Sequence, residues 1–412
     1  MAMTFGRRVA YWRERRRITQ TDLGALLGKS RRWVQAVEAG ERQADPQISV
    51  VEAVARALTI PVELLLGDNP PPRGVDDVEF AAIRAALDRH DVITGTAGAG
   101  AAPLPVATLH RRLIHARSAF QSGKFGSLGG LVPSLLVETN AAAALHDGDE
   151  QLRAYGLLAT VMDLVEAAAV KYGAHDVALV AGHRAVTAAE RSEDTVVIAA
   201  ACRHLADAMT GQGQPRAAAE FAVASAARLE TDLRARGGDG LSVLGMLYLK
   251  AAMAQAGAGA GTDLLAATAA RAVPDLLDQA DEHAAELGHD ANHHWTAFGP
   301  TNVAVHRVTA HTHLSEGAAA VSVAADITPD ARAGLPRERR AHHLVDLARA
   351  HAQAGDRAAA VDVLLDAEGE SEEEVQCRPK SVRLVEELRL LGVGSSAEGR
   401  LRLLARRCGL PG

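Results

Sequence analysis

The chain has 412 residues, of which 48% are hydrophobic and only 3% aromatic, a composition that favours packed helices over a β-sheet. Its three cysteines, Cys202, Cys377 and Cys408, form no CxxC pair, which argues against a disulfide framework and a zinc site. The net charge is −7, but residues 1–66 carry 11 Lys and Arg against 7 Asp and Glu, a balance of +4 that leaves −11 for the remainder, as expected if only the first part of the chain touches phosphate.

Residues 19–40 predict two short helices with a tight turn between them. Thr19 is a residue type that caps helices, and Leu23 belongs to the apolar face of the first helix. Gly28 can supply the left-handed residue that ends this helix. The stretch therefore has a start signal, an apolar face and a stop signal in the correct order.

The second of these helices begins after Ser30, which can cap it. Its inward face begins at Trp33 or Val34, and its first turn presents Arg31 and Arg32. A short helix that displays arginines at its exposed amino end has the geometry that enters a DNA major groove. The pair of helices predicts a helix-turn-helix.

Further residues of the first part of the chain, which we call the head (residues 1–68), belong to the same helical pattern. The residues that carry it are Thr19, Gln20, Leu23, Leu27, Gly28, Ser30, Val34, Glu38, Gly40, Pro46, Ala55, Leu58, Pro61 and Leu64 to Leu66. With this pattern, residues 5–66 resemble the DNA-binding domain of the lambda-repressor-like, or xenobiotic-response-element, family of bacterial regulators. The resemblance implies a five-helix domain over residues 1–68. Gln35 stands where the family usually has a small residue, and Trp33 is bulkier than usual, so the base preference cannot be taken from relatives.

The resemblance assigns roles to individual residues. Arg31, Arg32 and Gln35 would face the bases, while Gln20 would bond a phosphate and buttress the recognition helix. An arginine suits guanine because its planar fork meets two acceptors at once, which is worth about 1–3 kcal/mol of discrimination. The complete set of predicted DNA-binding residues is Gln20, Lys29, Ser30, Arg31, Arg32, Gln35 and Arg42.

Two further charged features belong to the head. The resemblance implies that Arg13 and Glu38 form a partly buried ion pair that pins the first helix to the third. The run from Arg15 to Arg17 is open to two interpretations, a DNA contact and a solvated helix face.

Residues 69–105 are predicted to be a linker with one helix. The segment 69–74 contains three consecutive prolines, which cannot continue a helix and form a semi-rigid spacer. Asp76 to His90 has the pattern of an amphipathic helix. Residues 94–105 are rich in glycine, but no strand precedes them and no Gly-Lys-Ser/Thr follows, so we interpret them as a loop without nucleotide binding.

Residues 106–412 predict helices that repeat. Each copy has an apolar helix, a glycine turn and an Ala-rich helix, and successive turn glycines are 38 to 60 residues apart. In the last copy, Gly355, Ala360 and Leu364 fall where tetratricopeptide repeats have their glycine, alanine and large apolar residue. The body therefore resembles a tetratricopeptide-like α-solenoid, since no single hairpin can bury its own apolar stripe. The turn glycines are Gly123, Gly173, Gly213, Gly257, Gly317 and Gly355.

Residues 292–307 are the most unusual stretch of the body, because a Trp, a Phe and a Gly-Pro break interrupt helical sequence. After the break, Asn302 shares one helical face with Val305 or His306, and an Asn can clamp a peptide bond through its donor and its acceptor. This stripe would suit a peptide backbone or a small ligand. Alternatively, the two aromatic residues are core and the Asn caps a helix. The candidate effector-binding residues are Trp295, Phe298, Asn302 and His306.

Catalytic and metal motifs are not found in the sequence. The histidines of the body form no HExxH and no His-x3-His with carboxylate support, and there is no GxSxG. Residues 1–17 have no apolar core of signal-peptide type, and no uninterrupted apolar run reaches membrane-spanning length. We therefore expect no enzyme activity, no metal, no cofactor and no membrane partner, and a cytoplasmic, nucleoid-associated protein.

These observations predict an all-α chain that acts as a sequence-specific transcriptional regulator. Its organisation resembles the peptide-sensing quorum regulators of Gram-positive bacteria, which join the same two modules. The resemblance implies double-stranded operator DNA as a partner, a homodimer on half-sites about one helical turn apart, and a small-molecule or peptide effector for the body. The alternative is a DNA-tethered scaffold that recruits a protein partner without a small effector. An antitoxin fits poorly, because such chains are usually much shorter.

Overall fold

The structure is a computed structural model, and within the ranges that it describes all regular structure is helical. The predicted all-α class is confirmed. The chain divides into two compact units, Met1–Ala81 and Ala82–Gly412. The predicted proline spacer at 69–74 and most of the glycine-rich stretch at 94–105 lie outside the described residues. The described residues are 4–15, 18–43, 45–58, 60, 62–66, 77–94, 96, 102–258 and 263–410.

The first unit has the five predicted helices. They are α1 (Phe5–Arg15), α2 (Gln20–Leu26), α3 (Arg31–Glu38), α4 (Ile48–Leu58) and α5 (Glu63–Leu66). The Thr19 hydroxyl accepts a hydrogen bond from the Asp22 backbone N–H (3.1 Å), and the Asp22 carboxylate accepts one from the Thr19 N–H (3.3 Å), which completes a capping box. The Ser30 hydroxyl caps α3 through the Trp33 N–H, and Gly28 takes a φ of +64° in the turn. Both predicted caps are confirmed.

The core of this unit is a single apolar cluster around Trp12 of α1, whose side chain is almost completely buried. Leu23 of α2 and Val34 of α3 pack into the same cluster, so each helix buries the apolar face that its sequence predicts. Gly6 lies against the Val37 carbonyl, where a methyl group would overlap the backbone. This close approach lets α1 lie directly on α3.

The second unit is a series of helical hairpins preceded by two short helices. The helices are α6 (Asp77–Leu87), which begins in the first unit, α7 (Asp91–Thr94), α8 (Val106–Gln121), α9 (Leu128–Leu145), α10 (Gly148–Tyr172), α11 (His175–Ser192), α12 (Thr195–Gly211), α13 (Pro215–Arg234), α14 (Gly237–Ala258), α15 (Asp263–Leu287), α16 (Pro300–His313), α17 (Gly317–Ala325), α18 (Pro329–Gly334), α19 (Arg337–Gln353), α20 (Arg357–Glu370), α21 (Glu372–Gln376), α22 (Pro379–Leu391) and α23 (Ser395–Arg407). The first helices of the hairpins are α8, α10, α12, α14, α16, α19 and α22. Each of them except α22 packs on the first helix of the following hairpin. This stacking of first helices is the arrangement of a solenoid.

The predicted turn glycines divide into two groups. Four of them, Gly123, Gly173, Gly213 and Gly355, take the left-handed conformation between helices. The prediction is wrong for Gly257, which lies within the last turn of α14. It is also wrong for Gly317, which begins α17 and packs against the Ala350 carbonyl of α19. At Gly317 the missing side chain permits a close helix contact and not a turn.

Late residues of the repeat array contact its first hairpin. The Ser371 hydroxyl donates to the Gly123 carbonyl (3.0 Å), and the Gly126 N–H donates to the Glu373 carboxylate (2.7 Å). Helix α19 also contacts α8. The array therefore curls back on itself, and the first helices of its hairpins face a common interior.

Within the part of the chain that the structure describes, two helical segments have the length and composition of membrane-spanning segments, Phe125–Leu145 and Gly237–Ala258. In the second, 72% of the apolar window is buried, and α14 packs among α12, α13, α15 and α16. The first is 39% buried over its window, and α9 packs on α8 and α10. Packing among neighbouring helices thus accounts for the apolar composition of α14, whereas it covers less than half of the first window.

All three cysteines are buried, and none of them is in a disulfide. Burial raises the pKa of the Cys202 thiol to about 11 and that of the Cys408 thiol to about 12. Both thiols therefore stay protonated at neutral pH. They are unreactive in this state, because the thiolate is the reactive form of cysteine.

Candidate functional sites

The exposed face of α3 is polar and basic. Arg31, Arg32 and Gln35 are exposed, while Val34 on the opposite face is buried in the core. The two arginines occupy the first turn, immediately after the Ser30 cap. The other predicted DNA-binding residues of this region, Lys29 and Arg42, are also exposed. The structure thus brings the predicted contact residues onto accessible surface, and their contact with bases remains a prediction.

Glu38, at the end of α3, joins three helices. Its carboxylate accepts hydrogen bonds from Arg13 Nε (2.5 Å) and Nη2 (3.1 Å) on α1, and from Gln20 Nε2 (2.8 Å) on α2. The Arg13 and Glu38 side chains are only 10% and 8% exposed, and the hydrogen bond to Glu38 is the main cause that raises the pKa of Arg13. The predicted ion pair is confirmed. Gln20 holds α3 through this bond, and its amide group has a second hydrogen that can donate to another acceptor, such as a phosphate.

The loop between α15 and α16 has an unusual backbone. His294, Trp295 and Ala297 have φ values of +46°, +55° and +50°, a region that side chains other than glycine rarely adopt. Each such residue costs on the order of 1–3 kcal/mol and persists only where the surroundings hold it, most often at functional sites. We call residues 292–299 the strained loop.

Hydrogen bonds hold the strained loop on both sides. The Asn292 side chain exchanges two hydrogen bonds with Gln121 of α8 (2.9 and 3.1 Å) and also accepts the Ala297 N–H (3.1 Å). On the other side, the Asp290 carboxylate accepts the Thr301 N–H and hydroxyl (3.0 and 2.6 Å). The loop is thereby fixed between the first hairpin and the start of α16.

The strained loop borders a small inner pocket of about 90 Å³ on the common interior of the hairpins. Helices α8, α10, α12, α14 and α19 all contribute to it. A wider outer pocket of about 550 Å³ shares Gln121, Trp295, Ala297 and Pro336 with the inner pocket. The lining of the inner pocket includes Arg117, Phe120, Gln121, Glu166, Lys171, Arg203, His204, Asp207, Met246, Lys250, Trp295, Glu338, Arg339, His342 and Arg378.

Six cationic side chains line the inner pocket, and three of them are paired with carboxylates. Burial raises the pKa of Asp207, but the charge and hydrogen bond of Lys250 outweigh burial and bring it to about 2. The pairs are Lys171 with Glu338 (2.5 Å) and Glu374 (2.8 Å), Lys250 with Asp207 (2.5 Å), and Arg378 with Glu374 (2.7 Å).

The other three cations are Arg117, Arg203 and Arg339, and none has a carboxylate oxygen of a described residue within 4.0 Å. Arg117 donates to the Thr160 carbonyl (2.8 Å), and its guanidinium lies 5.2 Å from the centre of the Trp295 ring. The Nε–H groups of Arg117 and Arg203 are buried and have no hydrogen-bond partner among the described residues. A buried donor without a partner is costly, so it marks a position where a ligand oxygen would be favourable.

Glu166 and His204 form a hydrogen-bonded pair beside these arginines. Burial raises the pKa of Glu166 well above its ordinary value and lowers that of His204 well below it. Because Arg203 Nη2 can only donate to His204 Nε2 (2.9 Å), the imidazole hydrogen is on Nδ1 and points to Glu166 Oε2 (2.5 Å). Glu166 Oε1 is buried and has no hydrogen-bond partner among the described residues.

The four predicted effector residues occupy different environments. Trp295 is half-buried and lines both pockets. Phe298 is fully buried in the core of the helical unit, and Asn302 is also fully buried, with its Nδ2 3.3 Å from the Thr296 carbonyl. His306 is bonded to the Asn302 carbonyl (2.7 Å), and burial lowers its pKa to about 3. Only Trp295 reaches a pocket surface, and the other three lie behind the pocket wall.

The arginines and the Glu166–His204 pair were missed by the sequence-based prediction, which placed the ligand site in residues 292–307, on the strained loop and the first turns of α16. Their signal was available: α10 and α12 are apolar helices with charged residues inside the apolar run, and a charge that a helix buries needs a partner. Among the described residues, no group of three or more His, Cys, Asp or Glu side chains could hold a metal ion.

Comparison with known proteins identifies the first unit. Residues 4–66 match the family described as a helix-turn-helix domain. The solved structure of Bacillus thuringiensis PlcR in complex with the peptide PapR7 and DNA aligns with 88% of this chain and 100% of its own, at 12% sequence identity and a TM-score of 0.38. Curated protein sequences give no match. Residues 4–66 are therefore a helix-turn-helix DNA-binding domain, and a unit of stacked helical hairpins follows it in the chain.

Proposed function

We propose that the protein is a sequence-specific transcriptional regulator that binds operator DNA as a homodimer through α3. The observation that carries this proposal is the exposed pair Arg31 and Arg32 at the capped amino end of α3. The buried contacts of Glu38 support it, because they hold that helix rigidly against α1 and α2. A regulator of this kind acts in the cytoplasm, at the nucleoid, and needs no enzyme activity.

We also propose that the helical unit senses a small-molecule or peptide effector. Two observations support this role: a pocket whose buried donors lack partners, and a strained loop on the pocket wall. A ligand there can alter DNA binding only through different affinities for the DNA-competent and DNA-incompetent arrangements. The alternative remains a DNA-tethered scaffold that recruits a protein partner.

Replacing Arg31 and Arg32 together with alanine is expected to abolish specific DNA binding. Two lost guanine contacts, each worth about 1–3 kcal/mol, correspond to an affinity loss of roughly 30-fold to more than 10⁴-fold. The fold should be retained, since both side chains are exposed. Affinity is measured by fluorescence anisotropy on a duplex that the wild-type protein selects from a random library.

The control variant is Arg153→Ala with Arg216→Ala, which removes the same charge from exposed positions in the helical unit. It should keep nearly all specific affinity. Equal losses in the two variants would mean that net charge and not base readout governs binding, and the assignment of α3 as the recognition helix would be wrong.

The sensing role is tested by native mass spectrometry of the full-length protein purified from its own host, before and after denaturation. We expect a dimer mass that includes a bound molecule of low mass, which denaturation releases and which changes operator affinity when added back. A dimer with no bound molecule, together with a protein captured by pull-down, would favour the scaffold instead.

A further inference from the structure

The charges around the inner pocket do not balance. Lys171, Lys250 and Arg378 each have a carboxylate partner, whereas Arg117, Arg203 and Arg339 have none within 4.0 Å among the described residues. Two buried carboxyl groups interact with these arginines. Burial raises the pKa of Glu166 well above its ordinary value and that of Asp163 to about 7, although the charges of Arg117 and Arg203 lower the pKa of Asp163. These carboxyl groups therefore offset the arginines only in part, and the walls carry a net positive charge in a site that water reaches poorly.

Two arginine donors in this site have no hydrogen-bond partner among the described residues. Arg117 and Arg203 are 4% and 7% exposed, and the Nε–H group of each is unpartnered. Guanidinium hydrogens are donors that an oxyanion accepts, and Arg forks match carboxylate and phosphate geometry.

The two pockets differ in volume, so each suits a different part of a ligand: the inner pocket suits a charged group, and the outer pocket suits the rest of the molecule. The inner pocket, at about 90 Å³, holds about three water-sized groups, which is enough for one carboxylate or phosphate group. The outer pocket, at about 550 Å³, is in the range of sites for small organic molecules. Trp295 borders both pockets and carries Arg117 over its ring, so its indole can contact the flat body of a ligand whose head lies inside.

We propose that the inner pocket binds the carboxylate or phosphate group of a small anionic effector, held by Arg117, Arg203 and Arg339, with the apolar body of the effector against Trp295. This assignment rests on the proposed sensing function and specifies its ligand class. Before the ligand arrives, the strained loop is held by Gln121 and Asp290. A ligand that replaces contacts of Trp295 would act on this loop first.

The test is isothermal titration calorimetry of the full-length protein with matched pairs of probes. Each pair consists of an anion and a neutral compound with the same aromatic body. The pairs are phenylacetate and 2-phenylacetamide, indole-3-acetate and indole-3-acetamide, and phenyl phosphate and phenol. We expect at least one anion to bind about tenfold or more tightly than its neutral counterpart. The comparison of phenylacetate with phenyl phosphate identifies which head group the pocket prefers. Equal binding within every pair, or no binding of any anion at millimolar concentration, would overturn the proposal.

The variant that tests the site is Arg339→Gln, because Arg339 is half-buried and has no hydrogen bond or ion pair with any described residue. Its fold should be retained, and its affinity for the anion should fall about tenfold or more. The control is Arg349→Gln on the same helix, where the arginine is also half-buried but pairs with Glu387 outside the pocket. Arg203→Gln is a second test of the site, measured by its affinity for the anion, and thermal melting checks that this variant is folded. Wild-type affinity in Arg339→Gln and Arg203→Gln would place the anion elsewhere.

Operator affinity, measured in the same samples, separates this proposal from the sensing function. An anion that binds in wild type, fails in Arg339→Gln and leaves operator affinity unchanged would support the pocket and contradict sensing. A neutral molecule recovered from the host protein that alters operator affinity would support sensing and overturn the anionic ligand.

Discussion

Phe298→Ala is expected to lower the free energy of unfolding of the helical unit by about 3–5 kcal/mol, the range for deleting a fully buried aromatic side chain. The ring is inaccessible to solvent and belongs to an apolar core cluster of the helical unit, where it packs against the α14 backbone at Gly245. A methyl group on Gly245 would overlap the ring, so the two positions fit only as a pair. Urea denaturation followed by circular dichroism measures the loss.

Two comparisons make this result specific. Trp295→Ala removes a larger aromatic residue from the same loop, but its side chain is half-buried and lines a pocket, so we expect a clearly smaller loss. Gly245→Ala should destabilise wild type by about 1–3 kcal/mol and should cost much less in the Phe298→Ala background, because the methyl group then fills part of the cavity. Additive effects would show that the two residues do not pack together.

Glu38→Ala is expected to destabilise the helix-turn-helix domain by about 3–5 kcal/mol, since it leaves the Arg13 guanidinium buried without its main partner. The change also removes the acceptor of Gln20, so α1 and α2 both lose their polar contact with α3. For a domain of this size such a loss is a large part of the total stability. Specific DNA binding should fall together with the folded fraction of the domain.

The matched control is Glu14→Ala. Glu14 also contacts Arg13, at 3.1 Å, but its side chain is 71% exposed. A surface pair of this kind contributes about 0–1 kcal/mol. Unfolding of the domain is followed by the fluorescence of Trp12 and Trp33. Similar losses in the two variants would mean that burial does not determine the strength of this contact.

The sequence predicted the head well because its signals are local. Thr19 and Ser30 cap helices that begin one residue later, and the spacing of Leu23 and Val34 identifies the buried faces. Even the Arg13–Glu38 pair could be predicted, because the resemblance to a known domain supplied the contact between the helices. In such a small domain, local signals and domain resemblance together determine most of the structure.

The helical unit was predicted only in outline. Periodicity identified the repeated hairpins, but Gly257 and Gly317 were misassigned because a glycine can serve a close contact as well as a turn. The inner pocket depends on contacts such as Ser371 with Gly123, which are 248 residues apart and leave no periodic signal. The sequence-based prediction was made from the aromatic residues of the strained loop, so it identified Trp295. It missed the arginines, because they come from three separate helices, α8, α12 and α19.

The positions of the cysteines have a practical consequence for studying the two units separately. All three thiols are buried in the helical unit, and residues 1–81 contain none. A thiol reagent added under native conditions therefore reacts only when the helical unit opens, and its rate reports the free energy of that opening. Unfolding of the DNA-binding domain does not contribute to this signal. The natural sequence thus provides a labelling assay for ligand stabilisation of one unit while the other remains attached.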